Sequence, residues 1–105
     1  MTQQTRFSIV DGPSKFDLMV ALFKRDEEIE FTLRIDEKKT HKIGFIVNGL
    51  SNEDGTREGW LIHGRGFCIN FPELSLSHEN WQRFEGYYMP RDRSGWMENV
   101  SLKKK

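Results

Sequence analysis

Over residues 28–35, Ile29, Phe31, Leu33 and Ile35 alternate with Glu30, Thr32 and Arg34. That period of two marks a strand with one face in a core and the other in water. The alternation returns in Phe67, Ile69 and Phe71, then over residues 81–88, where Phe84, Gly86 and Tyr88 oppose Glu85 and Tyr87. It appears last over residues 96–102, where Trp96, Glu98, Val100 and Leu102 share a side. Residues 7–10 read as a short opening strand closed by the turn signal Asp11-Gly12-Pro13. Residues 43–50 are apolar on both faces, as a central strand would be, and Asn52-Glu53-Asp54-Gly55 turns the chain back through residues 59–64 as a hairpin. Pro72 lacks an N–H and ends the strand at 67–71, and residues 74–76 add a short edge piece. Residues 36–42 read as a charged connector and Lys103, Lys104 and Lys105 as a frayed, solubilising end.

The segment between Pro13 and Phe23 fits two patterns. Phe16, Leu18, Val20 and Leu22 alternate as in a strand, while Phe16, Met19, Val20 and Phe23 have helical spacing. Capping decides between them. Pro13 suits a helix start, Ser14 with Asp17 three residues on resembles a capping box, and Leu, Met and Ala are good helix formers. The expected element is one helix over residues 13–23, with the Phe16, Met19, Val20 and Phe23 stripe in the core.

These elements make the chain mainly β: a compact antiparallel β-sandwich or barrel of about six or seven short strands with one short helix near the N-terminus. Gly12, Gly55 and Gly95 sit at turns, whereas Gly64, Gly66 and Gly86 fall inside strand patterns and imply bulges, curvature or close approach. The charge-rich strand at 28–35 reads as a protected sheet edge. The strand at 96–102 is less protected, which makes it a route to a homodimer.

Composition narrows the class. The 105 residues suffice for one domain, spanning 1–102 with the basic tail at 103–105, and apolar content is 36% against 30% charged. Leu, Ile, Val and Phe still account for 27 of the 105 residues, above the roughly 20% below which a charged chain is read as disordered. The longest apolar run, residues 18–23, is far short of the roughly 20 residues that span a bilayer. No membrane partner is expected, and the polar N-terminus and single cysteine, Cys68, point to the cytoplasm. Net charge is zero, but residues 24–37 sum to −3 and residues 80–105 to +3.

That basic region holds the most informative constellation. Trp81, Arg83, Phe84, Tyr87, Tyr88, Arg91, Arg93 and Trp96 fall within 16 residues. Trp, Tyr and Arg dominate binding hot spots because they combine large contact area with directional donors. The candidate binding residues are therefore Trp81, Arg83, Tyr87, Tyr88, Arg91, Arg93 and Trp96, on a non-catalytic module for a protein or small ligand. The bland reading puts Phe84, Tyr88 and Trp96 in the core and leaves Arg91 and Arg93 as solvated turn residues. Nucleic acid is the alternative ligand, with arginine on phosphates and aromatics stacked on unpaired bases. A pI near 6.8 weighs against it.

No cofactor or metal is expected. His41, His63, Cys68 and His78 lack the spacing of a zinc site, and Gly64-Arg65-Gly66 precedes no helix as a dinucleotide loop must. Cys68 with His63 or His78 could form a hydrolytic pair, but no local signature accompanies it, and its strand pattern makes Cys68 a buried small hydrophobe. Enzymatic activity is therefore not expected.

Overall fold

A computed structural model describes residues 5–36, 39–52, 59–65, 67–72, 77–88 and 100–105. The elements are β1 (Thr5–Asp11), α1 (Lys15–Phe23), β2 (Glu28–Asp36), β3 (Lys39–Ser51), β4 (Trp60–Gly64), β5 (Phe67–Phe71), a 3-10 turn (Asn80–Arg83), β6 (Phe84–Tyr88), β7 (Val100–Ser101) and β8 (Lys103–Lys104). They form one eight-stranded sheet in the order β7-β5-β4-β3-β2-β1-β6-β8. β7 and β8 are successive pieces of the same segment, so the two ends of the sheet meet and it nearly closes into a barrel. Pairing is antiparallel except between β5 and β7, which makes the sheet mixed rather than purely antiparallel.

Two bends achieve the closure. β3 has 13 residues, pairs with β2 as far as Ile46, and turns to β4 from Val47, with a register shift between Val47 and Gly49. A shift of this kind bends the strand and strengthens its twist. At the other seam Val100 and Ser101 pair with β5, and Lys103 and Lys104 pair with β6. Leu102 lies between them, buried, its N–H donating to the Asn70 carbonyl at 2.7 Å. Lys103 and Lys104 therefore do not form the frayed end expected. Their side chains are exposed, but their backbone belongs to the ladder. Because residues 100–104 join both ends of the sheet, the edge expected at 96–102 is, over its described part, the closing seam. β2 is not an edge strand over residues 32–34, where it lies between β1 and β3; only its first residues, 28–31, pair on the β3 side alone.

The alternating residues fill the interior: Phe7 and Ile9 from β1, Ile29, Phe31 and Leu33 from β2, and Ile69 and Phe71 from β5 are all buried. Trp81 belongs to the 3-10 turn rather than to a strand, and β6 begins only at Phe84. β3 begins at Lys39, so most of the expected connector at 36–42 is strand.

α1 starts as the capping pattern predicts, although Pro13 precedes the N-cap. Ser14 Oγ accepts from the Asp17 N–H at 3.0 Å, and Asp17 Oδ2 accepts from the Ser14 N–H at 3.2 Å. The buried face of the helix is Leu18 and Ala21, with Leu22 packed beside them. The expected stripe is instead outside: Phe16 is 76% and Phe23 85% exposed, and Met19 is exposed as well. Nine residues are too few for a helix to persist alone, so tertiary packing selects its face.

The cap makes the helix acid-sensitive. Hydrogen bonds from Ser14, backbone first and side chain second, hold the Asp17 carboxyl below its ordinary pKa. A lowered folded-state pKa means that this contribution is complete above the usual carboxylate range and is lost as pH falls through the lowered value. Ser14→Ala is expected to destabilise the domain by about 1 kcal/mol. It should also flatten the acid limb of the α1 amide shifts. Urea midpoints and an NMR pH titration check both outcomes.

Candidate functional site

Among the described residues, the structure separates Trp81 from Arg83 and Tyr87. Trp81 is 1% exposed and is corrected from candidate binding surface to core. Its ring stands edge-on to Phe31 and Phe84, at centroid distances of 5.1 and 5.9 Å. Its Nε1 donates to the Pro13 carbonyl at 2.6 Å. Indole is drawn inward here because its one donor finds a partner at the helix entrance. Arg83 is exposed at the end of the 3-10 turn, and Tyr87 is exposed on the outer face of β6. Tyr87 lies across from Arg6, whose guanidinium is paired with Glu85. Tyr88 pairs with Thr5 in the β1–β6 ladder. Arg91, Arg93 and Trp96 lie outside the described residues.

Cys68 is half-buried rather than fully buried. It sits directly across from His63 on the adjacent strand, a closer pairing than the sequence spacing suggests. Both lie opposite the buried Ile62 and Ile69, hence on the outer side of the sheet. His63 Nε2 is hydrogen-bonded to Ser51 Oγ at 2.8 Å, and among the described residues no carboxylate orients the ring. Among the described residues, no three His, Cys, Asp or Glu side chains gather around a possible metal position.

A different place has the geometry of a site. Between α1, the turn after β1 and the start of β2 lies a solvent-open cleft of about 350 Å³. Phe16, Val20 and Ala21 form its helical wall, and Ile29 contributes to the opposite side. Around these apolar residues stand the carboxylates of Asp11, Asp17, Glu27, Glu28 and Glu30, with no Lys or Arg in the lining among the described residues. His78 closes one end: its Nδ1 is 3.1 Å from Asp11 Oδ1 and its Nε2 is 3.4 Å from Asp17 Oδ2. These contacts tie the segment before the 3-10 turn to the helix N-terminus. No protein-family model, curated protein or solved structure matches this chain.

The position of the cleft follows from the local chain. Gly12 lets the backbone pass against Trp81, because a Cβ there would come within 2.7 Å of the indole Cδ1. Pro13 then precedes the N-cap of α1, and residues of the helix and of the start of β2 line the cleft between them. The sequence shows both ingredients, the acidic pole at 24–37 and the Phe16, Met19, Val20 and Phe23 stripe, of which Phe16 and Val20 line the cleft. It did not bring them together, because the stripe was assigned to the interior.

Proposed function

We propose that this chain is a non-catalytic protein-binding module whose binding face is the cleft between α1 and β2. The observation that carries the reading is the exposed Phe16 in the wall of that cleft, with Met19 and Phe23 exposed on the same short helix outside the lining. A surface helix ordinarily turns polar residues to water. Large apolar side chains clustered in water beside a concavity are the usual mark of an interaction site. The cleft volume falls within the roughly 300–1,000 Å³ range of ligand sites. The aromatic and arginine segment supports the reading less well, because Trp81 is committed to the core, leaving Arg83 and Tyr87 as its exposed described members. The same burial weakens the nucleic-acid alternative, which needs aromatic faces free to stack on bases.

Selection from a random peptide library displayed on phage tests the proposal. Peptides enriched on the wild-type domain should lose at least about tenfold in affinity, or roughly 1.4 kcal/mol, on the Phe16→Ser/Phe23→Ser variant. The melting temperature should hardly change, because both rings are exposed. Peptides that bind this variant normally but fail on Arg83→Ala/Tyr87→Ala would move the site to β6 and end the proposal.

A further inference from the structure

The ladder between β1 and β2 stops early. Its last pair is Asp11 with Thr32, after which β1 leaves the sheet through Gly12 and Pro13. β2 extends four residues beyond that point, 28–31, and these pair with β3 on one side only. Among the described residues, no hydrogen bond from α1 or from the turn reaches the main chain of 28–31. The strand positions left vacant beside them lie in the cleft, which Glu28, Ile29 and Glu30 line. β1 itself cannot extend to fill them, because Pro13 has no N–H and its carbonyl already accepts from Trp81.

We infer that an extended, basic segment of a partner protein adds to β2 as a strand in this cleft, taking the place that β1 vacates. The inference rests on the cleft being the binding face. An open strand edge supplies main-chain hydrogen bonds, and the flanking side chains select the sequence that uses them. At about 3.3 Å per residue, the free edge of 28–31 accommodates roughly four residues of a partner. Alternate side chains of the added strand point to opposite faces. One set meets Glu28 and Glu30, the exposed residues of the 28–31 stretch, and the other meets the α1 wall of Phe16, Val20 and Ala21. Asp11, Asp17 and Glu27 extend the negative field around the same opening. A chain alternating Lys or Arg with apolar residues satisfies both faces, while an acidic segment or an anionic lipid surface meets carboxylates.

An NMR titration of the ¹⁵N-labelled domain with a synthetic hexapeptide alternating lysine or arginine with valine tests the inference. The expected result is shift changes at the amides of 28–31 and of α1. Of two peptides methylated at alternate nitrogens, starting from the first or from the second, one should bind about tenfold or more weakly, because the set that faces β2 carries the donors of up to two main-chain hydrogen bonds. The Glu28→Gln/Glu30→Gln variant should bind the unmodified peptide about tenfold more weakly and lose much of the salt dependence. Equal binding of both methylated peptides would overturn strand addition while leaving the cleft a binding face. Equal binding of a glutamate–valine hexapeptide would overturn the charge selection. No shifts at 28–31 at millimolar peptide would overturn the inference as a whole, and the library selection would still decide the cleft separately.

Discussion

Replacing Trp81 with alanine is expected to destabilise the domain by about 3–5 kcal/mol, the range for deleting a large buried aromatic. Total stabilities of small domains are roughly 5–15 kcal/mol, so this one change should remove a large share of it. The indole touches rings from three strands: Phe31 of β2, Phe71 of β5 and Phe84 of β6. It also holds the helix entrance by donating to the Pro13 carbonyl and packing on Gly12. Truncation therefore opens a cavity at the meeting point of both halves of the barrel and releases the turn that directs α1. Trp81→Phe should cost less, because it keeps most of the ring contacts and loses the hydrogen bond. Urea denaturation of the two variants separates packing from the donor. A midpoint unchanged in Trp81→Ala would contradict the placement of this ring in the core.

Gly64→Ala is expected to produce the second-largest loss, at or above the upper end of the roughly 1–3 kcal/mol typical of overpacking. A methyl group at Gly64 would overlap the Phe67 ring and lie 2.5 Å from the Ile46 carbonyl oxygen. The ring is buried and packed on Phe45 at a centroid distance of 4.7 Å, and the carbonyl is backbone, so neither yields cheaply. Gly49→Ala serves as the control on the neighbouring strand. Its added carbon would meet only His63, at 3.9 Å, an ordinary contact. Its effect should stay within about 0.5 kcal/mol. Equal losses in the two variants would indicate a general glycine effect rather than the close approach of Phe67. Gly86 belongs with Gly64: a Cβ there would come within 2.8 Å of Leu102 and 2.9 Å of Phe7. For these two interior glycines, the close approach inferred from the strand pattern is the observed reason, while Gly66 lies outside the described residues.

Features set by neighbours in the chain were legible in the sequence. Alternation at 28–35 and at 67–71 follows from the pleat, in which successive side chains point to opposite faces, and β2 and β5 stand where it put them. The box between Ser14 and Asp17 spans three residues, and it settled helix against strand correctly. A mainly β chain with one N-terminal helix followed from such local signals, which left sandwich and barrel both open.

What only the tertiary structure decided depends on partners far apart in sequence. Residues 18–23 are all apolar, so α1 offers more than one face to a core. The buried one is chosen by how the helix leaves the sheet, and Trp81 fixes that exit by bonding Pro13 across 68 positions. The same contact turned Trp81 from a surface candidate into core, because its donor and its ring are both satisfied inside. Closure of the sheet depended on residues 100–104 bonding to β5 and β6 at once, which no periodicity within a short, charged C-terminal segment discloses. The cleft arose in the same way. Its acidic residues and the exposed Phe16 were visible as separate patterns, and they line one cleft because β1 leaves the sheet after Asp11, opposite Thr32, and the chain continues into α1. Local sterics write strands and caps into a sequence one segment at a time, whereas a cavity is the space that packed segments leave between them, and its position exists only once they are packed.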